Sequence, residues 1–183
     1  YLFRHSYKPE KPFLFSLGVI TRKKNFHTLL PLLQNNEMEL IIAGRKDDTD
    51  YFNYINNMAR GMGVQNNFRM LGQISEKEKA WYLKNCYAFA LPSISEGFGA
   101  PVAEAMAFGK PLFLSDRTAL PEIGSNVAFY FPDFNAKQMQ NTFSTGMRDY
   151  RVFKMYDAIK KRGTDFCWQK SALEYLEVYR SLY

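Results

Sequence analysis

Ser93-Ile94-Ser95-Glu96-Gly97-Phe98-Gly99-Ala100-Pro101-Val102-Ala103-Glu104-Ala105-Met106-Ala107-Phe108-Gly109-Lys110-Pro111 follows an apolar run, Tyr87-Ala88-Phe89-Ala90-Leu91, that stops at Pro92. Two glycines flank one aromatic residue. Pro101 stands where a helix can begin, because proline's missing N–H would be unpaired there in any case. Val102, Ala105 and Met106 recur at helical spacing. Gly109 sits where a left-handed C-terminal residue belongs, with Pro111 just beyond it. The stretch therefore reads as strand, glycine loop, helix, with Glu96 in the loop and Glu104 in the second helical turn.

A helix start presents unpaired backbone N–H groups and a partial positive charge, which suit a phosphate or a sugar oxygen. Gly97 and Gly99 allow close ligand approach. Carboxylates accept hydrogen bonds from vicinal hydroxyls, so the two glutamates suit a carbohydrate or a ribose. By spacing alone a second reading stays open: Glu96 as a loop surface acid and Glu104 as a solvated helix residue, since acids near helix starts are favoured by the dipole.

The same alternation extends outward from this stretch in both directions. Residues 1–11 are polar and aromatic, with Pro9 among them, and read as a linker or edge segment. Strands are expected at Pro12–Val19, Met38–Gly44, Asn67–Gly72, Tyr87–Leu91, Pro111–Ser115 and Val127–Phe131, several of them closed by glycine. Helices are expected through Phe26–Leu33, with Pro31 as a kink, and from Asp50 to Gly61. Another opens at the capping box Ser75-Glu76-Lys77-Glu78, and Leu120–Gly124 reads as a turn or short helix. From Asn135 onward the pattern is helical, with breaks near Gly146 and at Gly163-Thr164, and a last helix runs from Trp168 to Leu182. Such alternation indicates an α/β fold, a doubly wound parallel sheet of about six strands with helices on both faces. Ligands in such sheets bind beyond the strand C-terminal ends at the switch point.

Composition narrows the function classes. The chain has 183 residues and 46% apolar content, an ordinary single-domain size with enough chain for a core. No run approaches the roughly 18 apolar residues of a membrane span. The beginning Tyr1-Leu2-Phe3-Arg4-His5 has no signal-peptide layout and no initiator methionine, as in a piece excised from a longer protein. Cys86 and Cys167 are too few for a disulfide framework, which points to a reducing, cytoplasmic setting, and they lack metal-ligand neighbours. The net charge of +6 fits nucleic acid, an anionic membrane surface or phosphorylated small substrates. Arg22-Lys23-Lys24 and Lys160-Lys161-Arg162 are short clusters, not the long basic stripe of a nucleic-acid binder, so no nucleic-acid partner is expected. His5 and His27 are not placed as general bases.

Glu96-Gly97-Phe98-Gly99 and Glu104-Ala105-Met106-Ala107-Phe108-Gly109-Lys110-Pro111, with seven residues between the glutamates, closely resemble the E-x7-E signature of retaining glycosyltransferases of family 4. In that family the signature lies in the C-terminal, Rossmann-like, donor-binding domain of the two-domain GT-B fold. Three further segments follow the family order. Leu17-Gly18-Val19-Ile20-Thr21-Arg22-Lys23-Lys24-Asn25 resembles the loop whose Arg and Lys hold the donor diphosphate. Lys24 matches the Lys, Val19 stands at the usual Arg position, and Arg22 or Lys23 is open as its substitute. Met70-Leu71-Gly72-Gln73-Ile74-Ser75 resembles the loop that brackets the nucleobase, with contacts at Gln73 and Ile74. Ser115-Asp116-Arg117-Thr118-Ala119-Leu120-Pro121-Glu122-Ile123 matches the S-x4-L-P-E stretch behind the sugar, and Phe166-Cys167-Trp168-Gln169-Lys170 looks like the family's closing helix.

The resemblance implies that Glu96 contacts the donor sugar and, with Lys24, serves the chemistry. It implies that Gly97, Phe98 and Gly99 offer backbone contacts and that Glu104 grips the ribose hydroxyls. It implies a nucleotide sugar as donor, with GDP-mannose suggested by the basic loop. It further implies no metal or cofactor, and a glycan or lipid-linked acceptor held by an N-terminal domain that residues 12–183 do not include. The complete enzyme is expected in the cytoplasm, with peripheral association at the inner membrane face, and residues 1–183 alone are expected to transfer little. A nucleotide-sugar-binding module without turnover, and another GT-B-like enzyme such as an epimerase or a phosphorylase, are the alternative readings.

Overall fold

The computed structural model describes residues 7–34 and 36–182. Six strands form one parallel sheet: β1 (Phe13–Leu17), β2 (Glu39–Ala43), β3 (Phe68–Met70), β4 (Ala88–Leu91), β5 (Leu112–Ser115) and β6 (Phe129–Phe131). Their order is β3-β2-β1-β4-β5-β6, the doubly wound arrangement in which the chain leaves β1 in one direction and β4 in the other. The apolar runs of β1, β2, β4 and β5 are buried because helices cover both faces of a parallel sheet. Among the described residues seven α-helices surround it: α1 (Thr49–Gly61), α2 (Glu76–Asn85), α3 (Ala100–Met106), α4 (Leu120–Gly124), α5 (Ala136–Val152), α6 (Tyr156–Gly163) and α7 (Trp168–Ser181).

The seam between β1 and β4 sets where a crevice opens. Their ladder registers Leu14 with Ala88 and Phe15 with Phe89. Beyond that, the buried Ser16 hydroxyl donates to the Ala90 carbonyl at 2.6 Å, and the Ser115 hydroxyl donates to the Ser93 carbonyl at 2.5 Å. Side-chain hydroxyls thus satisfy carbonyls at the end of β4, one from β1 and one from β5. Gly44, at the end of β2, is required by the crowding there. A Cβ at that position would stand 1.8 Å from the Gly18 carbonyl oxygen.

Two helical expectations are corrected. The Phe26–Leu33 segment is a 3-10 helix, not an α-helix. Pro31 lacks the N–H that an α-helical turn needs, and the Gln34 N–H closes back on the Pro31 carbonyl instead. At Gly146, where a break was expected, α5 runs through uninterrupted. A Cβ there would lie 2.7 Å from both Phe113 and Phe129, so the glycine admits the aromatic cluster of β5 and β6 against the helix. The chain breaks instead between α5 and α6, where Lys154 takes φ 49°. The capping box at Ser75 and Glu78 forms as read, and Gly109 adopts φ 64° after α3. α3 begins one residue earlier than expected, with Gly99 as N-cap and Pro101 in the first turn.

Of the segment expected as a linker or edge, residues 1–6, including His5, lie outside the described residues. Tyr7–Lys11 have neither helix nor strand but are tied to Glu39 on β2. The Tyr7 hydroxyl donates to Glu39 Oε2 at 2.5 Å, and the Glu10 and Lys11 N–H groups donate to Oε1 at 2.8 and 3.0 Å. Those bonds satisfy a carboxylate that is almost fully buried. Cys86 is buried and Cys167 half-buried, both as free thiols, and burial pushes the Cys86 thiol up to about 12, which makes it inert as a nucleophile.

Candidate functional site

The crevice beyond β1 and β4 is walled by two loops. After β1 the chain makes a 3-10 turn over Arg22–Lys24, and Asn25 takes φ 58° to redirect it into the next segment. After β4 it runs through Pro92 and Ser93 into the glycine loop. The Ile94 N–H donates to the Lys23 carbonyl at 2.8 Å, which joins the two loops through the backbone. Lys23 contributes that carbonyl while its side chain lies in solvent.

Lys24 and Glu96, 72 residues apart, meet across this join. Nζ lies 2.5 Å from Oε1, with the two side chains only 15% and 10% exposed. The Ser93 hydroxyl donates to the same carboxylate oxygen at 2.6 Å, and the Glu96 N–H donates to the Thr118 hydroxyl at 2.9 Å. The stem of Lys24 lies along Gly18, where a Cβ would come within 3.0 Å of its Cε. A pair this far out of water is strong only while both members are present. Removing one leaves the other charge poorly hydrated, at a cost on the order of 1–3 kcal/mol. Chemically, the site holds a fixed cation able to meet an anion and a carboxylate oriented by two donors.

The structure does not bring Arg22 to that pair. Its guanidinium lies over the rings of Tyr51 and Tyr54 on α1, 5.7 and 5.8 Å from their centroids. His27 shares this cluster through a 3.0 Å contact between Nδ1 and the Tyr51 hydroxyl, and burial, with the Arg22 charge, lowers its pKa. Gln73 is exposed and Ile74 packs partly against the core in the turn that leads from β3 into α2.

Glu104 takes a different partner from Glu96. Its Oε1 accepts from Lys79 Nζ of α2 at 2.7 Å. Gly97 is exposed, and Phe98 packs edge-on against Phe166 at 5.6 Å. Glu104, Phe98, Ala103, Phe166 and Trp168 line a shallow groove of about 250 Å³ beside α3. A larger cavity of about 430 Å³ lies at the other end of the sheet, where Pro12, Met38 and Tyr87 precede their strands and Phe143 and Met147 of α5 face them. We place the site at the Lys24–Glu96 pair, which lines neither of these cavities, because oppositely charged side chains converge there at low exposure. Among the described residues no group of three or more His, Cys, Asp or Glu side chains is arranged to hold a metal ion, and no helix is long and apolar enough to cross a membrane.

Sequence reasoning passed over Ser93, Thr118 and Lys79. Ser93 is legible in retrospect as a hydroxyl just before a loop carboxylate. Thr118 lay inside the quoted Ser115–Ile123 stretch, and its φ of 49° is a tertiary outcome. Lys79 has a local partner in Glu76, but nothing local points to Glu104, 25 residues away on another helix.

Comparison with known proteins returns one consistent class. The family model described as "Glycosyl transferases group 1" matches residues 2–166. The O-antigen chain mannosyltransferase RfbU of Salmonella typhimurium is 28% identical over 137 residues, covering 73% of this chain and 38% of that protein. An uncharacterised glycosyltransferase of Methanocaldococcus jannaschii is 29% identical over 182 residues, covering 93% of this chain and 45% of that protein. The chain spans less than half the length of each of these relatives. Among solved structures, Anabaena Alr3699/HepE in complex with UDP and glucose superposes with a TM-score of 0.84 at 19% identity, covering 93% of this chain and 48% of that one. At that identity the likeness shows the fold, the Rossmann-like α/β half of GT-B glycosyltransferases.

Proposed function

The chain belongs to the group 1 glycosyl transferases, and from that premise we propose that it is the C-terminal, donor-binding part of a retaining enzyme that moves a hexose from a nucleoside diphosphate to a glycan or lipid-linked acceptor. The observation that carries this reading is the Lys24–Glu96 pair at the switch point, 2.5 Å apart and largely withdrawn from water. In the free protein Glu96 occupies the Lys24 ammonium. A donor diphosphate, with more charge than one carboxylate, takes that ammonium as it enters and leaves Glu96 facing the sugar.

Transfer then needs stabilisation of the departing diphosphate. Lys24 supplies a positive charge preorganised in a poorly hydrated site, where such charges are most effective. Glu96, held at Oε1 by the Ser93 hydroxyl, opposes the positive charge that develops on the sugar during a same-face substitution. Gly97, Phe98 and Gly99 offer backbone N–H groups to the sugar and phosphate, Gln73 and Ile74 bracket the base, and Glu104 accepts from the ribose. No metal or cofactor is assigned a role. The mannosyltransferase named above and the UDP and glucose in the Anabaena structure support a nucleotide hexose as donor, with GDP-mannose and UDP-glucose as the first to try. The acceptor belongs to the part of the enzyme outside residues 1–183, where peripheral contact with the inner membrane face also belongs.

Calorimetric titration of residues 1–183 with GDP-mannose, UDP-glucose, GDP and UDP tests the reading, with Lys24→Ala and Glu104→Ala alongside. Binding of at least one nucleotide, weakened by both substitutions, is expected. The absence of any binding, or two indifferent variants, overturns the site. Product anomeric configuration, read by NMR with the complete enzyme, decides retention.

A further inference from the structure

Glu104 is held by a residue that the donor reading does not use. Lys79, in the first turn of α2, sends its ammonium across to α3, where Nζ lies 2.7 Å from Glu104 Oε1. The same nitrogen lies 2.7 Å from Glu76 Oε2, one turn back on its own helix. The two contacts are unequal. Glu76 is 86% exposed, and a pair of that kind in open water contributes little. Lys79 is only 20% exposed and Glu104 37%, so their contact sits at the seam between two packed helices. Burial works against the charged form of Lys79, but hydrogen bonds with Glu104 and Glu76 outweigh it and leave its pKa raised. The ammonium therefore persists across the physiological range.

On the donor-site reading given above, we infer that Lys79 is a positioning residue for Glu104: it fixes the carboxylate through Oε1 and leaves Oε2 to accept from a ribose hydroxyl of the nucleoside diphosphate. Oε2 has no partner among the described residues. A partly exposed glutamate without such a tie samples rotamers that point into water, and ligand binding must then order it. Lys79 does that ordering in advance. The pairing is specific to Glu104, because the Glu96 carboxylate is held by Lys24 and Ser93 instead.

The test compares ribonucleotides with their 2′,3′-dideoxy counterparts. Residues 1–183 are titrated with GDP and UDP and with both dideoxy forms, as wild type, Lys79→Leu, Lys79→Arg and Glu76→Gln. Leucine keeps the aliphatic packing and the helix propensity, and a thermal melt verifies the fold. Lys79→Leu is expected to weaken the ribonucleotide about fivefold, the size of a partly exposed ion pair, and to leave the dideoxy form unchanged. Lys79→Arg restores most of the loss, and Glu76→Gln has no effect. A merely structural lysine would alter the melting temperature without altering the ratio between ribo and dideoxy affinities. If wild type binds and Lys79→Leu binds equally well, or loses both forms alike, the inference falls alone. If wild type binds no nucleotide, the donor reading falls and takes this inference with it.

Discussion

Glu96 and Glu104 are the same residue type, eight positions apart, yet they stand in different surroundings. Glu96 sits on the loop between β4 and α3, with a lysine and a serine on one carboxylate oxygen and its own N–H anchored to Thr118. Glu104 sits on a helix face, more than a third exposed, with one lysine from a neighbouring helix. The difference separates two jobs that the sequence pattern presents as one. A carboxylate built into the join of two loops is coupled to the folding of the crevice. One on a helix face can be altered with little cost to the fold, so its effect should fall on ligand affinity.

Lys24 tests this difference most severely. In the complete enzyme, Lys24→Ala is expected to reduce kcat/KM for the nucleotide sugar by about 10²- to 10³-fold, the usual loss of a preorganised electrostatic group. Glu96→Gln should act similarly, and the double variant should lose less than the product of the two, because the residues share one contact. Steady-state kinetics at saturating acceptor check this. Losses no larger than those of Glu104→Gln would erase the distinction between the two glutamates.

Gly99 supports the loop from the other side. It takes φ 93°, and a Cβ there would meet Leu120 Cδ2 at 2.8 Å. Gly99→Ala is expected to cost about 1–3 kcal/mol, a fall in Tm of about 3–8 °C by calorimetry for a domain of this size. An unchanged Tm would mean that the loop conformation is not determined by this position.

Glu104→Gln should weaken nucleotide binding about tenfold while moving Tm by less than about 4 °C, since an exposed pair contributes at most about 1 kcal/mol. A large fall in Tm with intact affinity would reverse the two roles. The smallest effect belongs to His27, outside both regions. Its folded pKa is depressed, so the unfolded chain binds the proton more readily. The contribution is fully present above the unfolded value near 6.5 and is lost as pH falls below it. Between pH 7.5 and 5.5 the wild type should lose slightly more stability than His27→Gln, a Tm difference below about 2 °C. Equal pH profiles would remove His27 from the account.

Much of the fold was legible because its signals are local. Apolar runs closed by glycine mark the strands, and Ser75 with Glu78 marks the start of α2, since a cap is satisfied within four residues. Gly146 misled for a related reason. Glycine weakens a helix locally, but here the close packing of Phe113 and Phe129 against α5 outweighs that weakness. Pro31 did disturb its segment, through a whole 3-10 turn and not through a kink. At the site, Lys24 and Glu96 were both legible as candidates. Their contact was not, nor was the diversion of Arg22 onto Tyr51 and Tyr54.

By itself, then, the sequence determined which segments become strands and helices, and that two glutamates flank a glycine loop at a helix start. Periodicity, caps and glycine torsions act over a few residues and are written in order along the chain. That Lys24 meets Glu96 and Lys79 meets Glu104 follows from the packed fold alone. Those partners are chosen by strand order and helix packing, which bring together residues 72 and 25 positions apart. An ion pair's strength depends on how much water the fold removes from around it, and no residue pattern specifies that.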